Sequence, residues 1–374
     1  MALPDVFLDT SWSMQYIPRI RKRMSILHAL VVASEPHAAS TRQLQALSAE
    51  CYQHNQSRGR LEPWDELKDE SERTGQLREC HISQIWPHSM ALDVMQERRC
   101  LGLSIETRYQ KTTYQVLLLA RRSLSIDECP LTAILYKASQ SNVKHIKDWL
   151  NYKFGIPSAG PLQLPQDLLP RMCSSYLTVL TENWTVEDNT NVLRQATLKQ
   201  ALGNLKLTIA FSSATGTEIA PKLKTLDLDL PSETINSLLE KTRQIAGAHD
   251  TIRPTFLDEL ARAIHGKTGL KLPLNGSLSA DAGLDKRQVT GTREAAQDGK
   301  DLTITSEPPL KVTKITCAAF AISIDGKLKF ASKPIENAEV VGYQEKVVRS
   351  AYWQMLDLVR AEAERRGIEH NNVQ

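Results

Sequence analysis

Four residues of the types that bind zinc occur in two close pairs. Cys51 and His54 form one pair, and Cys80 and His81 form the other. Thiolate and imidazole groups at short spacing are the usual ligands of structural zinc. A long polar stretch separates the two pairs, however, and nothing in the sequence fixes their relative positions. We therefore expect no metal site and no cofactor.

Two further patterns resemble reactive sites. Asp227 and Asp229 have the spacing of paired metal-binding carboxylates, but the strict alternation of "LDLDL" explains them as the solvent face of a half-buried strand. The stretch "HGKTG" resembles the end of a phosphate-binding loop, yet Ala261 stands where the loop needs a glycine, and the stretch ends a helix. The sequence contains no nucleophile elbow and no dinucleotide-binding glycine turn. It offers no catalytic residue and predicts a protein that is not an enzyme.

Lysine alternates with apolar residues in the stretches "LKLTIAF", "LKLPL" and "GKLKF". Successive residues of a strand face opposite sides, so these lysines fall on the face away from the core. They are Lys206, Lys271, Lys327 and Lys329. Strands that share one sheet would thus present a basic face to duplex phosphates. The alternative is that these lysines only keep an exposed face soluble.

A second basic feature is the run "PRIRKR" near the N-terminus. It contributes Arg19, Arg21, Lys22 and Arg23. Aromatic residues that could stack on bases are not interleaved with these charges, so we expect contact with the duplex backbone, independent of base sequence.

The overall charge of the chain is close to balanced, so any basic surface must be local. The 374 residues include 46 Lys and Arg against 43 Asp and Glu, a net charge of +3, so the whole-chain charge does not indicate nucleic acid. No apolar run reaches the length of a membrane span, and Asp5 and Asp9 stand where a secretory signal would be basic and then apolar. Six scattered cysteines suit reduced thiols. We expect a protein of the cytosol or the nucleus.

The strands and helices that must position these residues follow from periodicity. "FLDTSWSMQYI" predicts an opening strand, and "MSILHALVVAS" and "STRQLQALSAECY" predict helices. The polar stretch 54–78 predicts a surface excursion. "CLGLSIETRY" and "TYQVLLLARR" predict an antiparallel pair, and "SQSNVKHIKDWLNYKFG" predicts a helix that Gly155 ends. "LPQDLLPRMCSSYLTVL" predicts a helix that starts at Pro165 and is interrupted or bent near Pro170.

A second region is expected after residue 184. "LKLTIAF" and "LKTLDLDL" alternate as strands, and helices are predicted from Ser232, over "TFLDELARAIHGKTG", and roughly from Tyr343 to Arg366. "LKLPL" predicts a short strand, and the polar stretch 275–309 predicts a long flexible insertion. The sequence therefore predicts an α+β protein. Residues 1–184 form a mixed region with helices and a short antiparallel sheet, and 185–374 form a curved sheet backed by helices.

The stretch "CAAFAISIDGKLKF" predicts a hairpin whose turn lies at Asp325-Gly326. This dipeptide suits the positive φ angles of a type I′ turn. Neither face of its first strand carries a charge. Such a strand needs cover on both faces or a partner at its edge. The sequence leaves open whether a second protein or the chain itself provides that cover.

A family resemblance rests on the order of four stretches between Cys129 and Phe330. They are "CPLTAILYKASQSNVKHIKDWLNYKFG", "PLQLPQDLLPRM", "LDLDLPSETINSLLEK" and "VTKITCAAFAISIDGKLKF". This order resembles centromere protein L of the inner kinetochore, including its fungal relatives. The chain departs from that family in its basic run after the first strand, where the family tends to carry aromatic residues, and in the length of its insertion.

The resemblance implies a non-enzymatic scaffold of the inner kinetochore in the nucleus. It implies a heterodimer with a centromere protein N-like subunit through C-terminal sheets, contacts with other inner kinetochore subunits, and a place beside the centromeric nucleosome or its duplex DNA. It implies no membrane partner. The expected partner-binding residues are Ile315, Phe320, Ile322, Ile324, Leu328 and Phe330. One rival function is a homodimeric, sequence-independent DNA clamp outside the kinetochore, and another is an enzyme with an unrecognised site.

Overall fold

The computed structural model describes residues 3–32, 38–58, 72–87, 100–122, 125–157, 160–182, 200–211, 224–246, 256–272, 274, 310–332 and 341–373. These residues form two compact units. Unit 1 comprises the described residues within Met1–Leu164, Tyr176–Val186 and Ala319–Gln374, and unit 2 those within Pro165–Ser175 and Glu187–Ala318. Unit 1 thus draws on both sides of position 184, where the sequence predicts a boundary, and that boundary stays a prediction.

The strands, in chain order, are β1 (Ser11–Tyr16), β2 (Leu77–Ile85), β3 (Gly102–Tyr109), β4 (Thr113–Ala120), β5 (Leu131–Lys137), β6 (Gly160–Pro161), β7 (Leu205–Phe211), β8 (Thr225–Leu230), β9 (Leu310–Thr316), β10 (Phe320–Ser323) and β11 (Lys327–Phe330). The helices are α1 (Ser25–Val32), α2 (Ala38–Arg58), α3 (Gln140–Phe154), α4 (Leu168–Glu182), α5 (Ser232–Ala246), α6 (Phe256–Thr268) and α7 (Val341–Val373). These elements confirm the α+β class.

The sheet of unit 1 has the order β2-β3-β4-β5-β1-β11-β10, and β6 lies beside β1. Its neighbouring strands pair antiparallel, with β1 between β5 and β11. The first strand of the chain is therefore an inner strand, and a strand from the C-terminal part completes its pairing.

Helices cover the two faces of this sheet. Leu30 of α1 and Trp149 of α3 pack with Leu118 in one buried cluster, to which α2 also contributes. The alternate strand residues Leu117 and Leu135 are also fully buried but lie outside that cluster, and α7 packs on β5 and β1. Both faces of β4 and β5 are thus apolar, which explains their near-continuous hydrophobic runs.

Unit 2 contains a sheet of β9, β7 and β8, with β7 in the middle and antiparallel to both neighbours. Its helices α5 and α6 pack against each other. The buried carboxylate of Glu259 on α6 pairs with Lys241 of α5 at 2.9 Å and with Arg262 one turn along its own helix. A buried carboxylate needs such partners, so this group fixes the two helices together.

Most of the predicted elements are present, and several of their limits need correction. The strand over β1, the β3/β4 pair and the helices α1, α2, α3, α5 and α6 are confirmed. α3 begins after Ser139, whose hydroxyl accepts a bond from the Asn142 amide, and ends at Gly155 with φ 67°. α6 ends at Gly269 with φ 74°. Proline is tolerated in the first turn of a helix, so Pro170, at the third position of α4, does not interrupt that helix.

Other expectations fail or lie outside the described residues. β2 was not predicted, and α2 extends to Arg58, so both ends of the excursion 54–78 belong to regular elements. The described residues of "LKLPL", 270–272 and 274, form no strand. α7 runs beyond its predicted limits at both ends. The insertion 275–309 lies outside the residues that the structure describes.

Candidate partner and nucleic-acid surfaces

The hairpin of β10 and β11 is present, with a different turn from the predicted one. Ser323 pairs with Lys327, which leaves a loop of three residues. The Gly326 amide donates to the Ser323 carbonyl at 3.1 Å, and Gly326 has φ 71° whereas Asp325 has no positive φ. A type I′ turn needs positive φ at both central residues, so the type I′ prediction is wrong. A type I turn followed by a left-handed glycine fits the geometry.

The apolar side chains of the hairpin are buried inside unit 1. Phe320, Ile322, Leu328 and Phe330 are each at most 2% exposed. The Phe320 ring packs on Tyr176 of α4 at 5.1 Å between centroids, and Phe330 packs on Tyr352 of α7 at 4.6 Å. The chain itself therefore covers these side chains. Among the other expected partner-binding residues, Ile324 is half-buried, and Ile315 lies on β9 in the core of unit 2.

Two lysines of the hairpin project from the opposite face. Lys327 and Lys329 are exposed, and they alternate with the buried Leu328 and Phe330 as the sequence predicts. On one side they pair with Ser13 and Ser11 of β1, and on the other with Ser323 and Ala321 of β10. All four neighbours are small: Ser11 is exposed, Ser13 and Ala321 are half-buried, and Ser323 is buried. We call Lys327, Lys329 and these four neighbours the hairpin surface.

Unit 2 also has a lysine-bearing sheet face, and part of it was not predicted. Lys206 is exposed as expected, but its Nζ lies 3.1 Å from a carboxylate oxygen of Asp229 on β8. β9 adds Lys314, opposite Thr208, and Lys311, opposite Ala210. Thr208 and Ala210 alternate with buried residues of β7, so all three lysines share the open face. We call Lys206, Lys311 and Lys314 the β7/β9 lysines.

Lys271 does not join this face through a strand. It is exposed and follows α6, in a segment without strand pairing among the described residues. The prediction that it lies on a strand of the sheet is therefore wrong. Asp227 and Asp229 lie on β8, which is the last strand in the sheet order, so these two carboxylates stand at the rim of the lysine-bearing face.

The N-terminal basic run has one structural member and three exposed ones. Arg19 binds both carboxylate oxygens of Glu128, with one bond of 2.9 Å, and its amide donates to the Gly367 carbonyl at 3.0 Å. Its guanidinium holds the pKa of Glu128 below the ordinary value. Arg21, Lys22 and Arg23 are exposed. The Lys22 ammonium lies against Gly155, at the negative end of α3.

The residues of zinc-ligand type do not come together as a site. Cys51 and Cys80 meet between α2 and β2, and the hydrogen bond between their thiols raises the pKa of Cys51. His81 is exposed and follows the buried Cys80 on β2, so the two side chains face opposite sides of the sheet. His54 stacks on Tyr152, with ring centroids 5.9 Å apart. No cluster of three metal-ligand side chains occurs in the part of the chain that the structure describes.

Comparison with known sequences gives one informative result. The sequence model of the family described as Centromere protein L matches residues 21–364, most of the chain. The matched range includes the exposed part of the basic run, the lysines of both lysine-bearing faces and the hairpin, but not β1. No curated protein matches the chain. Within the described residues, no helix combines the length and the apolar content that crossing a membrane requires.

Proposed function

The chain belongs to the centromere protein L family, and from this premise we propose that it pairs with a centromere protein N-like subunit and helps to hold centromeric nucleosomal DNA during chromosome segregation. The family is a structural component associated with the kinetochore and the centromere, which implies a nuclear location. The finer parts of the proposal, the partner and the DNA, rest on the surfaces described above.

The observation that supports DNA contact best is the hairpin surface. Lys327 and Lys329 are exposed on one sheet face, and only serine and alanine stand next to them in register. Lysine contacts phosphate as a point charge that is indifferent to base sequence, so this exposed pair suits a duplex backbone. The β7/β9 lysines offer a second surface of the same kind.

Partner pairing is better supported at a strand edge than at the apolar side chains of the hairpin. Those side chains are already buried in unit 1, so they cannot anchor a second protein without unfolding the first. β8 has one neighbour, β7, among the described strands. An edge strand offers its free N–H and C=O groups to a strand of another chain. We therefore place the partner's strand at β8, in the C-terminal part where the family resemblance puts the pairing.

DNA contact is tested in the complex with a centromere protein N-like subunit, by fluorescence anisotropy on a random duplex. One variant carries Lys327→Glu with Lys329→Glu, and another Lys206→Glu with Lys314→Glu. The matched control carries Lys137→Glu with Lys267→Glu, two exposed lysines elsewhere, so that all three variants change the net charge equally. We expect the first two variants to weaken binding at least about tenfold more than the control does. Equal losses in all three variants would show that only net charge matters.

Partner pairing is tested by proline substitution on β8. Neighbouring residues of a strand direct their N–H groups to opposite edges. Of the two variants Asp227→Pro and Leu228→Pro, one therefore removes an N–H that bonds to β7. The other removes an N–H on the free edge of β8, where the partner's strand would pair. We expect the variant that keeps the wild-type melting temperature to lose co-purification with the partner. Wild-type co-purification of that variant would exclude β8 as the pairing edge. A stable homodimer without affinity for the partner would instead favour the DNA-clamp rival.

A further inference from the structure

The exposed residues around the start of α1 match the pattern that basic-directed serine kinases select. Lys22 and Arg23 stand three and two residues before Ser25, and Ile26 follows it directly. All four side chains are exposed, and Ile26 is 41% exposed although it is a large apolar residue. We propose that Ser25 is a phosphorylation site for a kinase that selects basic residues before the serine and an apolar residue after it.

Each of these residues has a role in binding such a kinase. The exposed guanidinium of Arg23 suits carboxylates in the substrate groove, and charge-assisted bonds of this kind are strong and orienting. The ammonium of Lys22 must leave the end of α3 at Gly155 to make a second such bond. The exposed Ile26 gains from burial in an apolar pocket of the kinase. Within the described part of the chain, the Ser25 hydroxyl makes no hydrogen bond, so no internal bond must break before it reacts.

The position of Ser25 in the fold allows access after a small local opening. Residues 17–24 have no helix or strand structure, and Ser25 is the first residue of α1. The preceding Met24 is 5% exposed, and its carbonyl accepts the first helical bond, from the His28 amide at 2.8 Å. A kinase binds its substrate extended, so this first turn must open. Helix ends open at low cost, and the eight residues of α1 form a short helix.

A second serine with nearby arginines shows why the surrounding fold matters. Ser125 is exposed and follows Arg121 and Arg122 closely in sequence. The buried Arg121 donates to the Cys129 carbonyl at 2.9 Å, and Arg122 pairs with Asp357 at 3.3 Å. These arginines are held by the chain and are not presented to a kinase. The structure thus favours Ser25 over a serine that resembles it in sequence.

The reaction requires the kinase and ATP with Mg²⁺, which bridges the phosphate oxygens. The Ser25 Oγ attacks the γ-phosphorus of ATP, the bond from that phosphorus to the bridging oxygen of ADP breaks, and the hydroxyl proton leaves to the base of the kinase. The product phosphate carries about −1.5 to −2 charges. It lies at the positive end of α1, four residues after Arg21 and two after Arg23 in sequence, where a negative group is favourable. Modification therefore neutralises most of the exposed basic run.

The direct test uses the full chain, ATP with Mg²⁺, and the catalytic subunit of cyclic-AMP-dependent protein kinase as a kinase of this selectivity. Mass spectrometry should locate phosphate on Ser25, and Ser25→Ala should remove it. Arg23→Gln should slow modification at least about tenfold, because it removes one charge-assisted contact. Ser125→Ala is the matched control and should change nothing. A synthetic peptide of residues 19–30 that is modified, beside a full chain that is not, would overturn the proposal because the fold would then protect the serine.

One consequence depends on the proposed DNA contact and is tested separately. If the basic run binds phosphates, the plot of log affinity for duplex DNA against log salt concentration should become less steep when every Ser25 is phosphorylated. The magnitude of its slope should fall by about 2. Modified protein with an unchanged slope would exclude the run as a DNA surface but leave the modification intact. If neither form binds DNA, the proposed function fails, and the modification of Ser25 still stands on the mass spectrum.

Discussion

The hydroxyl oxygen of Tyr352 lies 2.8 Å from the carbonyl oxygen of Ala319, a contact between α7 and the residue before β10. The same hydroxyl lies 3.2 Å from the carbonyl oxygen of Ala331, the residue after β11. One buried side chain of the last helix thus shares its proton between the two ends of the hairpin. This contact explains why the hairpin is an internal element of unit 1.

Removal of that hydroxyl should destabilise the protein measurably. Tyr352→Phe keeps the ring against Phe330 but takes this donor from the buried Ala319 carbonyl and the partly buried Ala331 carbonyl. We therefore expect the free energy of unfolding to fall by about 1 kcal/mol. Denaturant unfolding measures the change. Tyr152→Phe is the matched control, because Tyr152 is 81% exposed, and it should have no effect. Equal midpoints for wild type and Tyr352→Phe would show that the hydroxyl contributes nothing.

Truncation of a hairpin side chain should act on folding and not selectively on pairing. Phe320 is 2% exposed and packs on Tyr176, so Phe320→Ala should cost about 3 to 5 kcal/mol of stability. Lys329→Ala in the same hairpin should change stability little, since Lys329 is exposed. Thermal unfolding distinguishes the two. If Phe320→Ala melts like the wild type and loses only the partner, Phe320 is a surface anchor after all.

Loss of Asp229 should strengthen DNA binding. A carboxylate oxygen of Asp229 lies 3.1 Å from Lys206 Nζ, and both side chains are more than half exposed. Asp229→Asn releases the Lys206 ammonium from this ion pair and also removes a negative charge that repels phosphate. The cost in stability should stay below about 1 kcal/mol because exposed ion pairs contribute little. Fluorescence anisotropy at several salt concentrations gives the affinity for duplex DNA and its dependence on salt. The slope of log affinity against log salt concentration should be near −3.5 for about four phosphate contacts.

Asp227→Asn is the matched control for this change. It alters the net charge equally and lies on the same strand, two residues away and opposite Thr208. We expect Asp229→Asn to raise the affinity more than Asp227→Asn does. Identical effects would mean that the two carboxylates weaken DNA binding only through their negative charge, and that the ion pair with Lys206 has no specific role.

The Arg19 to Glu128 pair should make stability depend on pH in the acid range. The guanidinium lowers the pKa of Glu128 in the folded chain, so the unfolded chain binds more protons near that pH. The contribution is therefore complete above the unfolded pKa of about 4.3 and is lost as the pH falls through the lower folded value.

Comparison of wild type with Glu128→Gln isolates this term. The wild type should be more stable at pH 7, by about 1 kcal/mol or less, and the difference should shrink below pH 4.3. Asp127→Asn, at the exposed neighbouring position, provides the control. A difference between wild type and Glu128→Gln that stays constant down to acid pH would show that charge is not the cause.

Sequence periodicity predicted those elements whose burial alternates cleanly. β7 buries every second residue from Leu205 to Ile209, and β1 buries the alternate Trp12 and Met14 although Gln15 is buried as well. α3 has both a capping Ser139 and a terminating Gly155, so its limits follow from local sequence. β2 has no such pattern: Glu79 and His81 are exposed, but half-buried polar residues interrupt the alternation near its end. β2 is a strand because it pairs with β3, and the sequence of β2 alone does not show that pairing.

The missed lysines of β9 have an equally specific cause. The pairing of β7 with β9 shifts by one residue between Thr208 and Ile209, so the buried Val312 and Ile315 are three residues apart. This irregularity breaks the period of two that identified Lys206 and Lys327 as outward-facing. The turn of the hairpin was predicted wrongly for a related reason. The dipeptide Asp325-Gly326 is compatible with loops of more than one length, and the pairing of Ser323 with Lys327 determines that the loop has three residues.

The pairing of β1 with β11 has a consequence for how the protein is made. Trp12 lies opposite Leu328 in the sheet. At a synthesis rate of about 5 to 20 residues per second, β1 waits on the order of 15 to 60 s for that neighbour to leave the ribosome. During this interval β5 can pair with one edge of β1, but the edge that β11 completes stays open, so we expect nascent chains to depend on chaperones. A message cut short before β11 would then yield a product that cannot complete unit 1 and is open to proteolysis.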